Sequence, residues 1–198
     1  MTSLLYIHGF NSSPDSTKAR QTRDWLAAQL PAVDFICPFL SPFPSLAMAK
    51  LESILESIPK LTKTSLAPVV LIGSSMGGYY ATWLAEKYAC KAVLVNPAVR
   101  PWLGREYLLG DQENYHTGEV SRIEQGHLDQ LQEFDVAILS EPARFMVLVQ
   151  SGDEVLDYRQ AAEKYAACKL LIEEGGDHSF QGYEHHLADV IEFLTKPA

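Results

Sequence analysis

What this sequence has little of narrows its function before any motif is read. Its 198 residues hold three cysteines, Cys37, Cys90 and Cys168, odd in number and widely separated. A disulfide framework or a thiolate metal site therefore has little support. Each thiol lies at the edge of an apolar segment, and none stands in a turn motif that would present it as a nucleophile. Positive charge is also scarce: 16 Lys and Arg against 25 Asp and Glu leave a formal net charge of -9. Such a field repels polyanions, and with no long Lys/Arg run to override it nucleic acid is not an expected partner. No apolar run reaches the ~18 to 20 residues that cross a bilayer. The start, Met1-Thr2-Ser3-Leu4-Leu5, has neither a basic n-region nor a cleavage-site pattern. These absences predict a cytoplasmic protein with no membrane association and no obligate protein partner. Nothing Pro-, Gly- or Ser-rich divides the chain, and it shows no internal repeat, so residues 1–198 are expected to form a single domain.

What is present is an alternation. Short runs that are apolar, with Asp34 the one charged exception, Leu4 to Ile7, Val33 to Cys37, Val69 to Ile72, Ala92 to Val95, Phe145 to Val149 and Leu170 to Ile172, read as buried strands. Between them fall segments with helical spacing: Ser16 to Leu30, a face of Leu46, Leu51, Ile54, Leu55 and Ile58, Gly77 to Tyr88, Tyr158 to Ala167 and Tyr183 to Leu194. That order predicts the α/β class: a compact, mainly parallel sheet with helices on both faces, its site outside the strands' carboxyl ends. Residues 98–143 interrupt the alternation with Trp102, Leu103, Tyr107, Leu108, Leu109 and Tyr115 but little strand pattern. An insertion of this length reads as a short lid, or as packing on the sheet's flank.

Gly73-Ser74-Ser75-Met76-Gly77 follows one apolar run and opens a helical one. In that setting G-x-S-x-G is a nucleophile elbow, a sharp strand-to-helix turn that lifts its central serine above the sheet edge. The register selects Ser75 over Ser74. A serine hydroxyl needs a base, usually histidine, itself oriented by a carboxylate. Just past the fifth apolar run stands Asp153, and just past the sixth, in a Gly-containing loop, stands His178. The order Ser, Asp, His is that of the α/β-hydrolase arrangement. Asp157 lies further from its strand, at a helix start where Asp serves as an N-cap. Asp177 adjoins His178 and is expected to face solvent, and His185, His186, His116 and His127 are poorly placed as the base. The oxyanion of a tetrahedral intermediate needs backbone donors, expected from Met76 N-H and from Phe10 N-H in His8-Gly9-Phe10-Asn11. His8 is read as a structural ring that fixes this loop.

With these residues in view the chain resembles the α/β-hydrolase superfamily and, within it, the small YqiA-type esterases. The matching stretches are Leu5 to Pro14, Gly73 to Leu84, Val95 to Pro101, Gly152 to Arg159 and Gly175 to Phe180. The resemblance implies hydrolysis of carboxylic esters or acyl thioesters, long-chain acyl-CoA among them. It implies Ser75, His178 and Asp153 as the triad, with no metal and no organic cofactor. Trp102 and its apolar neighbours, facing Phe10 and Met76, suit an acyl group or simple core packing. Arg100 and Arg105, or Lys18, Arg20 and Arg23, are candidates to offset an anionic substrate, or are solvated faces. Trp102, Arg100 and Arg105 are taken as the substrate-binding set. The alternative is a hydrolase-fold module that binds a ligand or a protein without turnover.

Overall fold

The computed structural model describes residues 2–58, 69–104, 106–114 and 116–196. Arg105, Tyr115 and Pro68 lie outside the described residues. Six strands form one sheet: β1 (Ser3–Ile7), β2 (Asp34–Ile36), β3 (Val69–Ser74), β4 (Ala92–Val95), β7 (Phe145–Gln150) and β8 (Lys169–Glu173), in the spatial order β2-β1-β3-β4-β7-β8. Every pairing in it is parallel.

Parallel strands bury both faces, so the period-two alternation of side chains divides the core in two. Leu5, Ile7, Leu71, Leu94, Val147 and Val149 point to one cluster. There they meet α2 (Pro44–Ser57), α3 (Met76–Tyr88), α4 (Gln125–Gln132) and α5 (Tyr158–Lys164). Leu4, Tyr6, Ile72, Val93 and Leu148 point the other way, against α1 (Thr17–Gln29) and α6 (Leu187–Thr195). Helices thus cover both faces, as the alternation of runs predicts. Pro44 opens α2 at a position where a missing N-H costs nothing. Among the described residues, no helix is long and apolar enough to cross a membrane.

The insertion holds more regular structure than its sequence predicts. β5 (Gly110–Glu113) and β6 (Val120–Ile123) pair antiparallel as a separate hairpin, followed by α4. Gly-Asp-Gln-Glu and Val-Ser-Arg-Ile carry no apolar alternation because the hairpin stands largely in solvent, with Val120 60% exposed and Ile123 buried. Helix α4 is docked, Leu128 and Leu131 joining the core while Tyr79 Oη donates to Leu131 O at 2.5 Å. The closing helix also starts later than expected, with a 3-10 turn over Tyr183–His186 preceding α6.

Candidate active site

Four strand ends converge at the carboxyl edge. Ser75 follows β3 as the N-cap of α3, with φ 56° and ψ -121°. Such a backbone is costly for a residue with a Cβ and persists only where its surroundings over-determine it. They do so here. Ser75 N-H donates to Val95 O at 3.0 Å, and Ser75 O accepts from Gly78 N-H at 2.9 Å and Ala98 N-H at 3.0 Å. A Cβ at Gly77 would lie 2.0 Å from Ile7 O, and one at Gly73 would lie 2.3 Å from Gly77 O, so the elbow closes only around glycine. Asn11, Asn96 and Phe180, all in loops around Ser75, share its positive φ. Backbone strain is thus gathered at this edge.

Ser75 Oγ lies 3.0 Å from His178 Nε2, and His178 Nδ1 lies 2.9 and 2.8 Å from the two Asp153 carboxylate oxygens. The Asp153 side chain is 2% exposed, and its Oδ1 also accepts from Val155 N-H at 2.9 Å and Leu156 N-H at 2.8 Å. Burial pushes this carboxyl up, but the bond from His178 and those two N-H groups outweigh it and hold it below the usual carboxylate range. An ionised Asp153 only accepts, so His178 Nδ1 carries a proton toward it. In the neutral ring Nε2 is then the acceptor facing Ser75 Oγ-H.

The other expected residues fall as follows. Asp157 N-caps α5, accepting from Arg159 N-H at 3.0 Å. Asp177 accepts from Ser179 Oγ and from Gln181 Nε2, not from the His178 ring. His127 accepts from Glu124 N-H, and His186 pairs with Glu173. His8 donates through Nδ1 to Gly9 O at 2.8 Å and accepts at Nε2 from Leu40 N-H at 3.2 Å, tying the β1 loop to residues 38–40. Its burial lowers the ring's pKa, which favours this neutral form. Phe10 and Met76 flank Ser75, and among the described residues neither N-H donates to a main-chain acceptor. For Met76 the reason is its place at the start of α3, where the first N-H groups have no partner within the helix. Burial pushes the Cys37 and Cys90 thiols up to about 12 and the Cys168 thiol up to about 11.

A cleft of about 760 Å³ opens beside Ser75 and His178. It lies toward α1, not toward the segment 98–109 that carries the residues expected to bind substrate. Trp102 packs edge-on to Tyr79, with ring centroids 5.9 Å apart, and does not line the cleft. Arg100 is exposed and does not line it either. Lys18 and Arg20 do. Lys18 Nζ donates to Ser179 O at 2.6 Å, and burial lowers its pKa to about 8 against the opposing pull of Asp177 and Asp153. From the insertion, His116 reaches the cleft's wall.

Two residues that sequence reasoning passed over organise the His178 loop. Asn96 Nδ2 donates to Asp177 O at 3.0 Å and His178 O at 3.1 Å, while its Oδ1 accepts from Gln150 N-H at 3.0 Å. Gln150 Oε1 accepts from Asp177 N-H and Gln181 N-H, and its Nε2 donates to Gln181 O and Glu173 Oε2. Both side chains are buried. The one sequence signal was a pair of amides at the ends of apolar strands, where a buried amide must find partners.

Comparison with known proteins agrees with this architecture. A family model described as an uncharacterised protein family, UPF0227, matches residues 3–195. A UPF0227 protein of Citrobacter koseri is 22% identical over 97% of this chain and 98% of its own length. UPF0227 protein YcfP of Escherichia coli is 21% identical over the same shares. Among solved structures, Est1E of Butyrivibrio proteoclasticus with ferulic acid bound superposes with a TM-score of 0.73 at 16% identity, covering 98% of this chain and 88% of that one. Mouse alpha/beta hydrolase domain-containing protein 10 also gives 0.73 at 16%, covering 97% and 88%. The fold is that of the α/β hydrolases, and UPF0227 groups proteins of the YcfP and YqiA type, in line with the resemblance read from the sequence.

Proposed function

This chain belongs to the UPF0227 family and has the α/β-hydrolase fold, and from that premise we propose that it is a serine hydrolase of carboxylic esters or acyl thioesters. The observation that carries the proposal is the unbroken line from Ser75 Oγ through the His178 ring to Asp153, with bonds of 2.8 to 3.0 Å. His178 Nε2 takes the Ser75 proton as Oγ attacks the acyl carbon, and Asp153 stabilises the imidazolium without taking its proton. Phe10 and Met76 N-H groups donate to the oxyanion, whose stabilisation is worth ~10² to 10³ in kcat per donor. His178 returns the proton to the leaving atom, leaving an acyl-Ser75 enzyme. Water, deprotonated by the same ring, then releases the acid. Every proton moves on this chain's own groups, so the proposal calls for no metal or cofactor.

The strain at Ser75 fits this role, because a nucleophile held off the helix axis meets substrate without a reorganisation step. The test is labelling with a fluorophosphonate, which reacts with activated serines. Purified protein should lose one equivalent of reactivity at Ser75 and all hydrolysis of p-nitrophenyl acetate. Labelling elsewhere, or none in folded protein, would refute the proposal.

A further inference from the structure

We infer that the N-terminus of α1, opening into the cleft that Ser75 and His178 line, is a subsite for one anionic group of the substrate, a carboxylate or a phosphate, which rests on the serine-hydrolase reading above. Backbone donors are its first component. A helix leaves its first N-H groups without partners inside it, and its aligned peptide dipoles place partial positive charge at that end. In α1 the chain supplies no substitute: Ser16 makes no side-chain cap, and the first turn holds no acidic residue. Among the described residues, the N-H groups of Thr17, Lys18 and Ala19 find no acceptor. Ser16, Thr17 and Lys18 all line the cleft, so this end of the helix faces the space beside Ser75.

A buried hydroxyl, independent of the helix, points to the same place. Tyr6 projects from β1 to the α1 face of the sheet, and Ser74, two residues beyond Ile72 on β3, projects to that face as well. Both line the cleft together with Lys18. Tyr6 is 1% exposed, and its Oη has no hydrogen-bond partner. The Ser74 hydroxyl stands beside it without closing a bond of proper geometry. Burial raises the Tyr6 pKa well above the ordinary phenol value, so the group stays an O-H donor. A buried donor left unpaired is costly, and an acceptor brought by substrate relieves that cost. Lys18 Nζ uses one N-H on Ser179 O and keeps two, and the exposed Arg20 also lines the cleft. The carboxylates there are engaged elsewhere: Asp15 faces Arg23, Glu154 accepts from His178 N-H, Asp177 from Ser179 and Gln181, and Glu184 from Gln21. Their field lowers the affinity for any anion, so the site favours a group whose two or three oxygens meet several donors at once over a lone halide.

The full chain is titrated calorimetrically with inorganic phosphate and with acetate, in sodium chloride at constant ionic strength, before and after treatment with diisopropyl fluorophosphate. Saturable binding that persists in the labelled protein is expected, and the tighter of the two probes identifies the group as phosphate or carboxylate. Tyr6→Phe deletes one hydroxyl and should weaken that binding about 10-fold or more, as loss of one hydrogen bond to a charged group does. Lys18→Met should weaken it at least as much. In turnover, kcat/KM for 4-acetoxybenzoate or 4-acetoxyphenyl phosphate, taken as a ratio to that for the neutral methyl 4-acetoxybenzoate, should fall about 10-fold in Tyr6→Phe, with the loss in KM. Binding that vanishes on labelling would place the anion at the oxyanion donors instead and overturn the inference. Binding that neither variant weakens, or a labelled enzyme that binds neither probe, would overturn it too. So would an active enzyme that turns over neither anionic ester, or whose ratio Tyr6→Phe leaves unmoved. Tyr6-dependent binding by a protein that never labels at Ser75 would keep the anion site and refute the hydrolase reading alone.

Discussion

The strand-end floor and the inserted roof of this site are built by different means. The floor is laced by main-chain bonds at each turn: Ser75 is tied to Val95, Gly78 and Ala98, and Gly152 N-H donates to Gly175 O at 2.8 Å where the Asp153 and His178 loops meet. Gly152 has no room for a Cβ, which would lie 2.4 Å from Gly176 O. In the roof, hairpin β5–β6 bonds chiefly to itself among the described residues, and a tether, Asn114 Nδ2 donating to Ser12 O at 3.3 Å, joins it to the β1 loop. On the proposed hydrolase reading, chemistry that tolerates little displacement would sit on the over-determined part, and the surface that meets variable substrate parts on the other.

The contrast is tested most severely at the triad. Ser75→Ala, His178→Ala and Asp153→Asn should each lower kcat/KM for p-nitrophenyl acetate by a factor on the order of 10⁴ or more, while Ser74→Ala and Asp157→Asn do far less. Circular dichroism should show all five folded. Equal losses in the Asp157 variant would move the acid to α5 and unseat the floor as drawn.

Next in size is the amide pair under the His178 loop. Asn96→Ala removes donors from Asp177 O and His178 O and an acceptor from Gln150 N-H. A misplaced base costs ~10² in rate when it shifts by about 1 Å, so kcat should fall ~10 to 10²-fold with KM nearly constant. Stripping partners from buried groups also costs about 1 to 3 kcal/mol each, seen as a lower urea midpoint. A variant that loses stability while keeping full kcat would mean that Asn96 supports the sheet and not the loop.

These two predictions also divide what the sequence could and could not disclose. The elbow was legible because close approach demands glycine at Gly73 and Gly77, and Asp153 and His178 because each stands one loop past an apolar strand. Asn96 was not, since its bonds span 81 and 82 residues and leave no local pattern. The lining of the cleft was not legible for a similar reason. Trp102 looks like a pocket residue until Tyr79 is found edge-on to it, and Lys18 looks like a solvated helix residue until α1 is seen to flank the cleft. The hairpin escaped because solvated strands need no apolar alternation.

The roof should yield a smaller effect. Asn114→Ala removes the tether to Ser12 and the acceptor for His116 and Thr117 N-H groups in the turn. Loss of a part-buried tether of this kind costs ~0.5 to 1.5 kcal/mol, so thermal stability should change little. A few-fold rise in KM for esters with large alcohol portions, with p-nitrophenyl acetate turnover kept, would place the hairpin among specificity elements. A kcat loss as large as that of Asn96→Ala would erase the distinction between floor and roof.

The last effect is electrostatic, is read in stability and not in turnover, and belongs to Lys18, which joins α1 to the His178 loop through Ser179 O. Its pKa falls from 10.5 to about 8 on folding, burial outweighing the pull of Asp177 and Asp153. The folded state therefore binds fewer protons than the unfolded one between those values, and stability must rise with pH across that window. Below pH 8 the destabilisation is fully present, and above 10.5 it has vanished. Lys18→Met removes the titration, so the variant's gain in Tm over the parent should be greatest near neutral pH and shrink toward pH 10. Comparing the two proteins at each pH cancels the tyrosines and cysteines that titrate in the same range. A difference in Tm that stays constant from pH 7 to 10 would show that Lys18 keeps its proton in the folded protein, and that the wall of the cleft is better solvated than its geometry implies.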